Sequence, residues 1–396
     1  MQAEVNIGLL GHVDHGKTTL TYALTGKWTD THSEEIKRGI SIRLGYADAY
    51  IYHCPKCNRI TLDKKCPGCG GPTEIKRKIS FVDAPGHETL MTTVISAASI
   101  LNGALFLIAA NEPCPQPQTL EHMLVLNTTG IRNIIVVQTK VDLVTKEKAL
   151  ENYKQIKEFL KGTAAENAPI VPVSANNRLN LDRLAERIIE NIPPPKYEKN
   201  APLRMYVSRS FDINRPGSEI EKLHGGVVGG SIVLGTVKVG DEIEISPGIS
   251  KKEGAPPEPV FSKVMSLREE SDDMQEAGPG GLIAVGTTLD PSITKSDGLV
   301  GSIIGRKGEV PKAVNEINIK YTMLKRPDME VPLLRENEPV VLSVHTYAGV
   351  GAITKLAKGK ATVRLKRPTI VYNNMNVALS RRVGQRWRLC AWGTVA

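Results

Sequence analysis

Runs of hydrophobic residues alternate with amphipathic stretches along the first half of the chain. The short apolar runs are typical of buried strands; they are Val5 to Leu10, Ile79 to Val82, Ala104 to Ala109, Ile134 to Gln138 and Ile170 to Val173. The stretches between them are spaced as in helices; they are Thr19 to Leu24, about Glu88 to Leu101, Pro117 to Thr128, Lys146 to Lys161 and Leu181 to Asn191. An alternating pattern predicts a further strand that runs to Tyr52. Strands separated by helices predict an α/β domain with a doubly wound, mainly parallel sheet over residues 1–195.

The pattern changes after three consecutive prolines, Pro193 to Pro195, which predict a stiff and extended linker. Beyond them, short β-branched runs are separated by glycines, as in Gly225 to Gly230 and Gly235 to Ile243. Short strands with turn residues between them are typical of β-barrels. We therefore predict one barrel over residues 196–325 and a second over residues 326–396.

The composition of the 396 residues, 23% charged and 41% hydrophobic, is ordinary for a globular protein. No apolar run approaches the roughly 18 residues that a membrane-spanning helix needs. The first strand begins at Val5, which leaves no room for a leader peptide. We expect a cytoplasmic protein that does not associate with membranes.

The net charge of +9 is unevenly distributed. After Glu338 there is no acidic residue, and ten of the 51 basic residues lie between Lys355 and Arg388. A basic surface of this kind suits a polyanion, most simply RNA. A solvated barrel face without a partner is the alternative.

The chemistry of the chain centres on the sequence Gly-His-Val-Asp-His-Gly-Lys-Thr at residues 11–18. It lies between a predicted strand and a predicted helix, which is the context of a P-loop. Gly11 and Gly16 let the backbone N–H groups point at phosphate oxygens. Lys17 would reach the β- and γ-phosphates, and the Thr18 hydroxyl would bind Mg²⁺. The expected phosphate-binding residues are Asp14, His15, Gly16, Lys17, Thr18 and Thr19.

A second motif, Asp-Ala-Pro-Gly-His at residues 83–87, ends a predicted strand. Asp83 is placed to hold Mg²⁺, and the Gly86 N–H can contact the γ-phosphate. A glycine at this place can turn its peptide when that phosphate leaves, which is how a switch loop detects hydrolysis.

Two further loops indicate that the base is guanine, and therefore that the ligand is GTP or GDP. In Thr139-Lys140-Val141-Asp142, the carboxylate can accept hydrogen bonds from the guanine N1–H and amino group. Adenine has no such pair of donors and would leave Asp142 unpaired. The aliphatic part of Lys140 would lie along the base. The backbone N–H groups of Ser174, Ala175 and Asn176 would approach the guanine O6.

Four of the six cysteines form two Cys-x2-Cys pairs; they are Cys54, Cys57, Cys66 and Cys69. The spacing predicts a structural zinc site with four cysteine ligands in a small ribbon, over about residues 53–75. An iron centre with the same ligands is the alternative. Cys114 and Cys390 are isolated, and we expect them to be packing residues.

The phosphate motif together with Asp-Ala-Pro-Gly-His resembles the translational GTPase superfamily, whose members have one GTP-binding domain followed by two β-barrels. The resemblance implies that His87 orients the attacking water, with Lys17 and Gly86 as the other catalytic groups. It also implies apolar gate residues at Val13 and Ile40 and a switch ligand for Mg²⁺ at Ser41. One departure is Thr139, where the superfamily usually has Asn. A hydroxyl can make fewer hydrogen bonds than an amide, so we expect weaker support for the phosphate loop and unchanged guanine selectivity.

Three features resemble, more narrowly, the gamma-subunit family of archaeal and eukaryotic translation initiation factor 2. They are the zinc ribbon between Ser41 and Asp83, the stretch from Trp28 to Glu35, and the Ser-Phe-Asp-Ile-Asn-Arg-Pro-Gly sequence at residues 210–217. This resemblance implies a second Mg²⁺ near Asp14 and Gly39.

The same resemblance implies a GTP-dependent carrier of methionylated initiator tRNA to the small ribosomal subunit. It also implies a heterotrimer with alpha and beta subunits, and release of the tRNA after hydrolysis. An elongation-type carrier, such as the selenocysteine-specific factor, is one alternative. A metabolic GTPase of the kind that drives sulfate adenylylation is another, and a nucleotide-locked scaffold is a third.

Overall fold

The computed structural model describes residues 1–29, 44–87, 90–198, 200–214, 217, 219, 223–250, 252, 255–326, 329–384 and 386–396. Within them, Ala3–Val94 and Leu101–Pro195 form one compact unit, and Lys196–Ala396 form most of a second. Helices α1 to α6 are Lys17–Thr25, Met91–Ala98, Pro117–Thr129, Lys146–Leu160, Leu181–Asn191 and Pro291–Thr294. Single 3-10 turns lie at Val141–Leu143 and Lys295–Asp297. No helix among the described residues has the length and apolarity to cross a membrane.

The first unit is built on a mixed sheet that is mainly parallel, as the sequence predicted. Its strands β1 to β7 are Val5–Gly11, Gly45–Cys54, Arg59–Thr61, Glu74–Asp83, Gly103–Ala109, Ile134–Thr139 and Ile170–Pro172. Their order in the sheet is β3-β2-β4-β1-β5-β6-β7. Strand β1 pairs in parallel with β4 and β5, and only β2 and β3 run antiparallel to their neighbours. The carboxyl ends of β1, β4, β5, β6 and β7 therefore meet at one edge, where open α/β sheets bind ligands.

Helices cover both faces of this sheet. Leu20 and Leu24 of α1 and Leu184 of α5 share a buried cluster with Ile7 and Leu107 of the sheet. Phe106 follows Leu105 in β5 and so points to the opposite face, where its ring lies 6.4 Å from that of Phe159 in α4. The sheet is therefore doubly wound, which confirms the predicted fold of this part.

The second unit contains two antiparallel barrels, as predicted. Strands β8 to β16 are Arg204–Phe211, Val227–Leu234, Val237–Lys238, Glu242–Ile249, Glu258–Glu269, Asp272–Met274, Glu276–Ala277, Ile283–Thr287 and Ile303–Arg306. Six of them close in the order β11-β16-β8-β9-β15-β12, because β12 also pairs with β11. Strand β13 extends β12 beyond the closed part, and β10 pairs with β14.

The last barrel closes in the order β17-β20-β19-β18-β21-β22. Strands β17 to β22 are Val314–Met323, Pro339–Val344, Tyr347–Ala357, Lys360–Thr369, Asn376–Val383 and Arg386–Val395. Strand β17 pairs with β20 and β22 of this barrel. The predicted boundary at residues 325 and 326 is therefore too late, because it assigned Val314–Met323 to the preceding barrel. The cause is physical: alternating strands look alike in both barrels, and pairing with β22 joins residues far apart in sequence.

Candidate nucleotide site and cysteine cluster

The phosphate loop joins β1 to α1 at the carboxyl edge of the sheet. Gly16 precedes the helix in a left-handed conformation, with φ 84°, which a residue with a side chain rarely adopts. Helix α1 begins at Lys17, so its unpaired N–H groups point into the loop. This is the anion-binding geometry that the sequence predicted.

Lys17 is almost fully buried, and its ammonium is held at the mouth of the loop. Its Nζ donates to the backbone oxygens of Gly11 at 3.0 Å and of His12 at 2.8 Å. These bonds hold the charge at the helix N-terminus, where a phosphate would lie. The positive charge is therefore in position to meet a phosphate group.

Two hydroxyl groups converge on the carboxylate that ends β4. Thr18 Oγ1 and Thr29 Oγ1 each donate to Asp83 Oδ2 at 2.7 Å, and Asp83 is buried. Oxygen ligands of this kind, from a hydroxyl and a carboxylate, are those that Mg²⁺ prefers. Sequence reasoning missed Thr29, whose contact spans 54 residues. The predicted ligands Ser41 and Gly39, and the predicted gate residue Ile40, lie outside the described residues.

Gly86 lies directly against the phosphate loop. A Cβ atom at this position would be 2.4 Å from Lys17 Nζ and 3.0 Å from the Val13 nitrogen, so a side chain would collide with the loop. The backbone of the second motif is thereby brought next to Lys17 and the phosphate loop. The neighbouring His87 is half-buried, and its carbonyl accepts from the Leu90 N–H at 3.0 Å.

His15 connects the loop to the neighbouring strand. Its Nδ1 donates to the Leu107 carbonyl at 2.9 Å. Burial lowers the pKa of His15 to about 4, despite the nearby Glu112 carboxylate, so the ring is neutral at pH 7. Asp14, the preceding residue, has a positive φ of 64°, which marks the tight turn of the loop.

Thr139 makes the link to the phosphate loop that the sequence left in doubt. Its buried Oγ1 donates to the His15 carbonyl at 2.8 Å. A hydroxyl at the end of β6 thus reaches the loop at the end of β1. Thr139 therefore supports the phosphate loop through one hydrogen bond. The amide of an asparagine could make more, and the expected weakness of the support is limited to that difference.

The predicted base-binding residues follow two neighbouring strands. Lys140 is left-handed, with φ 57°, and begins the 3-10 turn that carries Asp142 on the surface. The next loop is close, because the Val141 N–H donates to the Val173 carbonyl at 3.5 Å. Ser174 is buried and its N–H donates to Leu179 at 3.3 Å.

That hydrogen bond occupies the N–H of Ser174, so it is not available to a base. The half-buried Ala175 and the exposed Asn176 are left as the donors for a guanine O6.

Helix α3 supports the loop in a way that sequence reasoning missed. Gln118 Oε1 accepts the Val13 N–H at 3.1 Å, and His122, four residues later, is fully buried. Two polar side chains four residues apart lie on one face of a helix, which was the available signal.

The four predicted zinc ligands come together. The sulfur atoms of Cys54 and Cys69 are 3.6 Å apart, those of Cys57 and Cys66 are 3.3 Å apart, and those of Cys57 and Cys69 are 3.8 Å apart. Four sulfurs at about 2.3 Å from a tetrahedral zinc ion would be about 3.8 Å apart, so the cluster is compatible with zinc.

The backbone N–H of Cys57 lowers the pKa of the Cys54 thiol, whereas a hydrogen bond with Cys66 raises the pKa of Cys57 to about 12. The other two cysteines are elsewhere. Cys390 is in the core of the last barrel, and burial raises the pKa of the Cys114 thiol to about 12.

Comparisons with known proteins agree with this geometry. The model of the elongation factor Tu GTP binding domain matches residues 2–194, and that of the initiation factor eIF2 gamma C terminal region matches residues 315–395. The chain is 53% identical to translation initiation factor 2 subunit gamma of Methanocaldococcus jannaschii, across 100% of this chain and 98% of that protein. The chain belongs to the translation initiation factor 2 gamma family.

Other members of the gamma family are similar over the same extent. The subunit from Pyrococcus horikoshii is 51% identical across 100% of this chain and 98% of its own length. A bacterial selenocysteine-specific elongation factor has a related solved structure, with a TM-score of 0.76 and 27% identity, and the match covers 100% of this chain and 58% of that one. The elongation factor SelB of Methanococcus maripaludis, solved with the GTP analogue GppNHp, has a TM-score of 0.74 at 24% identity and shows the shared fold.

Membership of the gamma family makes this protein a GTPase of translation initiation. The GTP-binding domain supplies the site for GTP and GDP, and the cysteine cluster lies within it, between β2 and β4. The family identified from the sequence is thus confirmed.

Proposed function

We propose that this protein carries methionylated initiator tRNA to the small ribosomal subunit in the GTP state and releases it after hydrolysis. The observation that carries the proposal is the 53% identity along the whole chain to an initiation factor 2 gamma subunit. The basic terminal barrel, which has no acidic residue after Glu338, suits contact with RNA. We place this activity in the cytoplasm, and the protein within a heterotrimer with alpha and beta subunits.

The domain limits that suit this function are a GTP-binding domain over 1–195, with the zinc ribbon at about 53–75, and two barrels thereafter. The first barrel begins at about residue 196. The last barrel would begin near Val314, an assignment supported by the pairing of Val314–Met323 with β20 and β22.

In the nucleotide site, we assign the phosphates to Asp14 through Thr19, the base to Lys140, Asp142 and the loop 174–176, and Thr139 to supporting the phosphate loop. Thr18, Ser41 and Asp83 would hold Mg²⁺, which would neutralise charge on the β- and γ-phosphates. A second Mg²⁺ would lie near Asp14 and Gly39. Zinc would hold the ribbon together through its four cysteines.

For hydrolysis, we assign His87 to orienting the attacking water, with Lys17 and Gly86 stabilising the γ-phosphate. Phosphoryl transfer depends mainly on positioning, so we expect slow turnover without the ribosome. His87→Ala should slow single-turnover hydrolysis by at least about tenfold and leave the Kd of a GTP analogue unchanged. Unchanged hydrolysis would remove His87 from this role and favour a scaffold that never turns over.

The selenocysteine-specific factor is the rival favoured by a specific observation, its related solved structure. Filter binding with a non-hydrolysable GTP analogue separates the two functions. We expect retention of methionylated initiator tRNA and weak retention of elongator tRNAs. Equal retention of both would contradict the initiation function, and retention of neither would favour a metabolic GTPase.

A further inference from the structure

Helix α3 reaches the nucleotide site through two side chains on one face. Gln118 holds the Val13 N–H of the phosphate loop at 3.1 Å. His122, one turn further along the same face, is 0% exposed. The Lys17 charge and the Gly86 backbone both act on its ring, so His122 lies near these two residues. The helix therefore contacts the phosphate loop through Gln118 and approaches the Asp-Ala-Pro-Gly-His motif through His122.

The His122 ring is neutral, because burial lowers its pKa to about 3 and the Lys17 charge acts in the same direction. A neutral imidazole carries one N–H donor and one acceptor nitrogen. Neither nitrogen has a hydrogen-bond partner among the described residues. The Gly86 backbone is nevertheless close enough to oppose the fall in pKa.

Simple packing does not account for a histidine at this position. Met123 to Leu126, the next residues of α3, are apolar and buried, whereas Thr119 and Glu121 just before His122 are buried polar residues. A buried polar side chain without partners is unfavourable, so the position of His122 calls for an explanation. A second arrangement of Gly86 would give the imidazole a partner.

The nucleotide would produce that second arrangement. Gly86 is pressed against Lys17 so closely that a Cβ would be 2.4 Å from Nζ. A γ-phosphate bound by both groups must lie between them, so Gly86 has to move away from the lysine. His122 is on helix α3, and the Gly86 backbone is near its ring.

We propose that His122 is a positioning residue for Gly86, and that its ring N–H donates to the Gly86 carbonyl when the γ-phosphate is bound. The bond stabilises the GTP arrangement of this loop relative to the GDP arrangement. This inference rests on the proposed role of Gly86 in contacting the γ-phosphate.

The test compares Kd values for a non-hydrolysable GTP analogue and for GDP in matched variants. His122→Phe keeps an aromatic ring and removes both nitrogens, and His122→Gln keeps an N–H donor. We expect His122→Phe to raise the Kd of the GTP analogue about tenfold, as for one lost hydrogen bond, and to leave the Kd of GDP within about twofold of wild type. His122→Gln should recover most of the loss, and the volume-conserving control Met123→Leu should change neither Kd.

An equal change for both nucleotides, or no change, would overturn the role of His122. Gly86→Ala separates this result from a failure of the proposed function. If Gly86→Ala retains the wild-type preference for the analogue, the role of Gly86 itself is wrong. If Gly86→Ala loses the preference and His122→Phe keeps it, only the role of His122 is wrong.

A measurement on the wild-type protein covers the case in which His122→Phe does not fold. With ¹⁵N-labelled histidine, we expect a slowly exchanging imidazole N–H signal that is present with the GTP analogue and absent with GDP. His122→Gln assigns the signal by its disappearance. Identical histidine spectra with the two nucleotides would contradict the proposal.

Discussion

The two ends of the proposed nucleotide cleft, one assigned to the phosphates and the other to the base, are held in different ways. At the phosphate end, His15, Lys17 and Asp83 are buried, and each is hydrogen-bonded to another part of the site. At the base end, Asp142 and Asn176 are exposed on loops. The phosphate end is therefore preorganised by the core of the domain, and the base end depends on a few side chains at the surface.

This difference separates affinity from selectivity. Preorganised donors need little further ordering when the phosphates bind, so we expect them to supply most of the nucleotide affinity. Selectivity for guanine requires only that a wrong base leave a polar group unpaired. Substitutions at the phosphate end should weaken the binding of every nucleotide, and substitutions at the base end should alter which base is preferred.

Lys17→Met should have the largest effect. The substitution removes a positive charge that the loop holds at 2.8 Å and 3.0 Å from two carbonyl oxygens. We expect GTP, GDP and xanthosine triphosphate (XTP) all to bind about a hundredfold more weakly, as for a lost charged hydrogen bond. Fluorescent nucleotide titration measures the Kd values. A loss confined to one base would contradict the assignment of Lys17 to the phosphate end.

Asp142→Asn should exchange the preferred base. An asparagine offers one acceptor and an N–H donor, which suits the xanthine carbonyl better than the guanine amino group. We expect GTP to bind about thirtyfold more weakly and XTP to bind more tightly, since each base contact of this kind contributes about 1–3 kcal/mol.

The exposed position of Asp142 predicts an unchanged Tm for this variant, which serves as its control. Parallel weakening of GTP and XTP would show that the carboxylate does not read the base.

Thr139→Val should produce a smaller loss that is equal for all nucleotides. It removes the hydroxyl that donates to the His15 carbonyl at 2.8 Å and leaves that buried oxygen without this donor. We expect about fivefold weaker binding of GTP and GDP alike. Thr139→Ser, which keeps the hydroxyl, is the matched control. A change in the ratio of GTP to XTP affinity would place Thr139 at the base end.

Removal of zinc should have the smallest effect on nucleotide binding. The ribbon joins the domain near the base end, where Thr61 Oγ1 and the Leu62 N–H each donate to Asp182 at 3.1 Å. An exposed ion pair between Asp63 and Arg178 adds little to the stability of this junction. We expect chelation to release one zinc ion per chain, with the Kd of GTP within about twofold. Zinc release is measured with a colorimetric chelator, and loss of all nucleotide binding would contradict a ribbon that is separate from the cleft.

Much of the cleft could be predicted from sequence because its groups lie within short motifs. Lys17, Thr18 and Asp83 are recognised from their neighbours, since the loop chemistry needs those residue types at those spacings. Thr29 and His122 belong to no such motif. Their contacts join residues that are distant in the chain, and only the folded sheet brings them together.

The last barrel illustrates the same limit for the fold. The alternating pattern of Val314–Met323 predicts a strand, and the structure contains it. Its partners, β20 and β22, lie at least 37 residues further along, so the pattern alone could not assign it to a barrel. Local periodicity determines strands, whereas pairing depends on contacts across the chain.

The most direct test of the proposed GTP-controlled carrier is the affinity of methionylated initiator tRNA with a GTP analogue and with GDP, measured side by side. Because the phosphate end is preorganised, binding of a nucleotide with the additional γ-phosphate should change the affinity for tRNA. We expect tight binding with the analogue and at least about tenfold weaker binding with GDP. Equal affinity in the two states would contradict a GTP-controlled carrier.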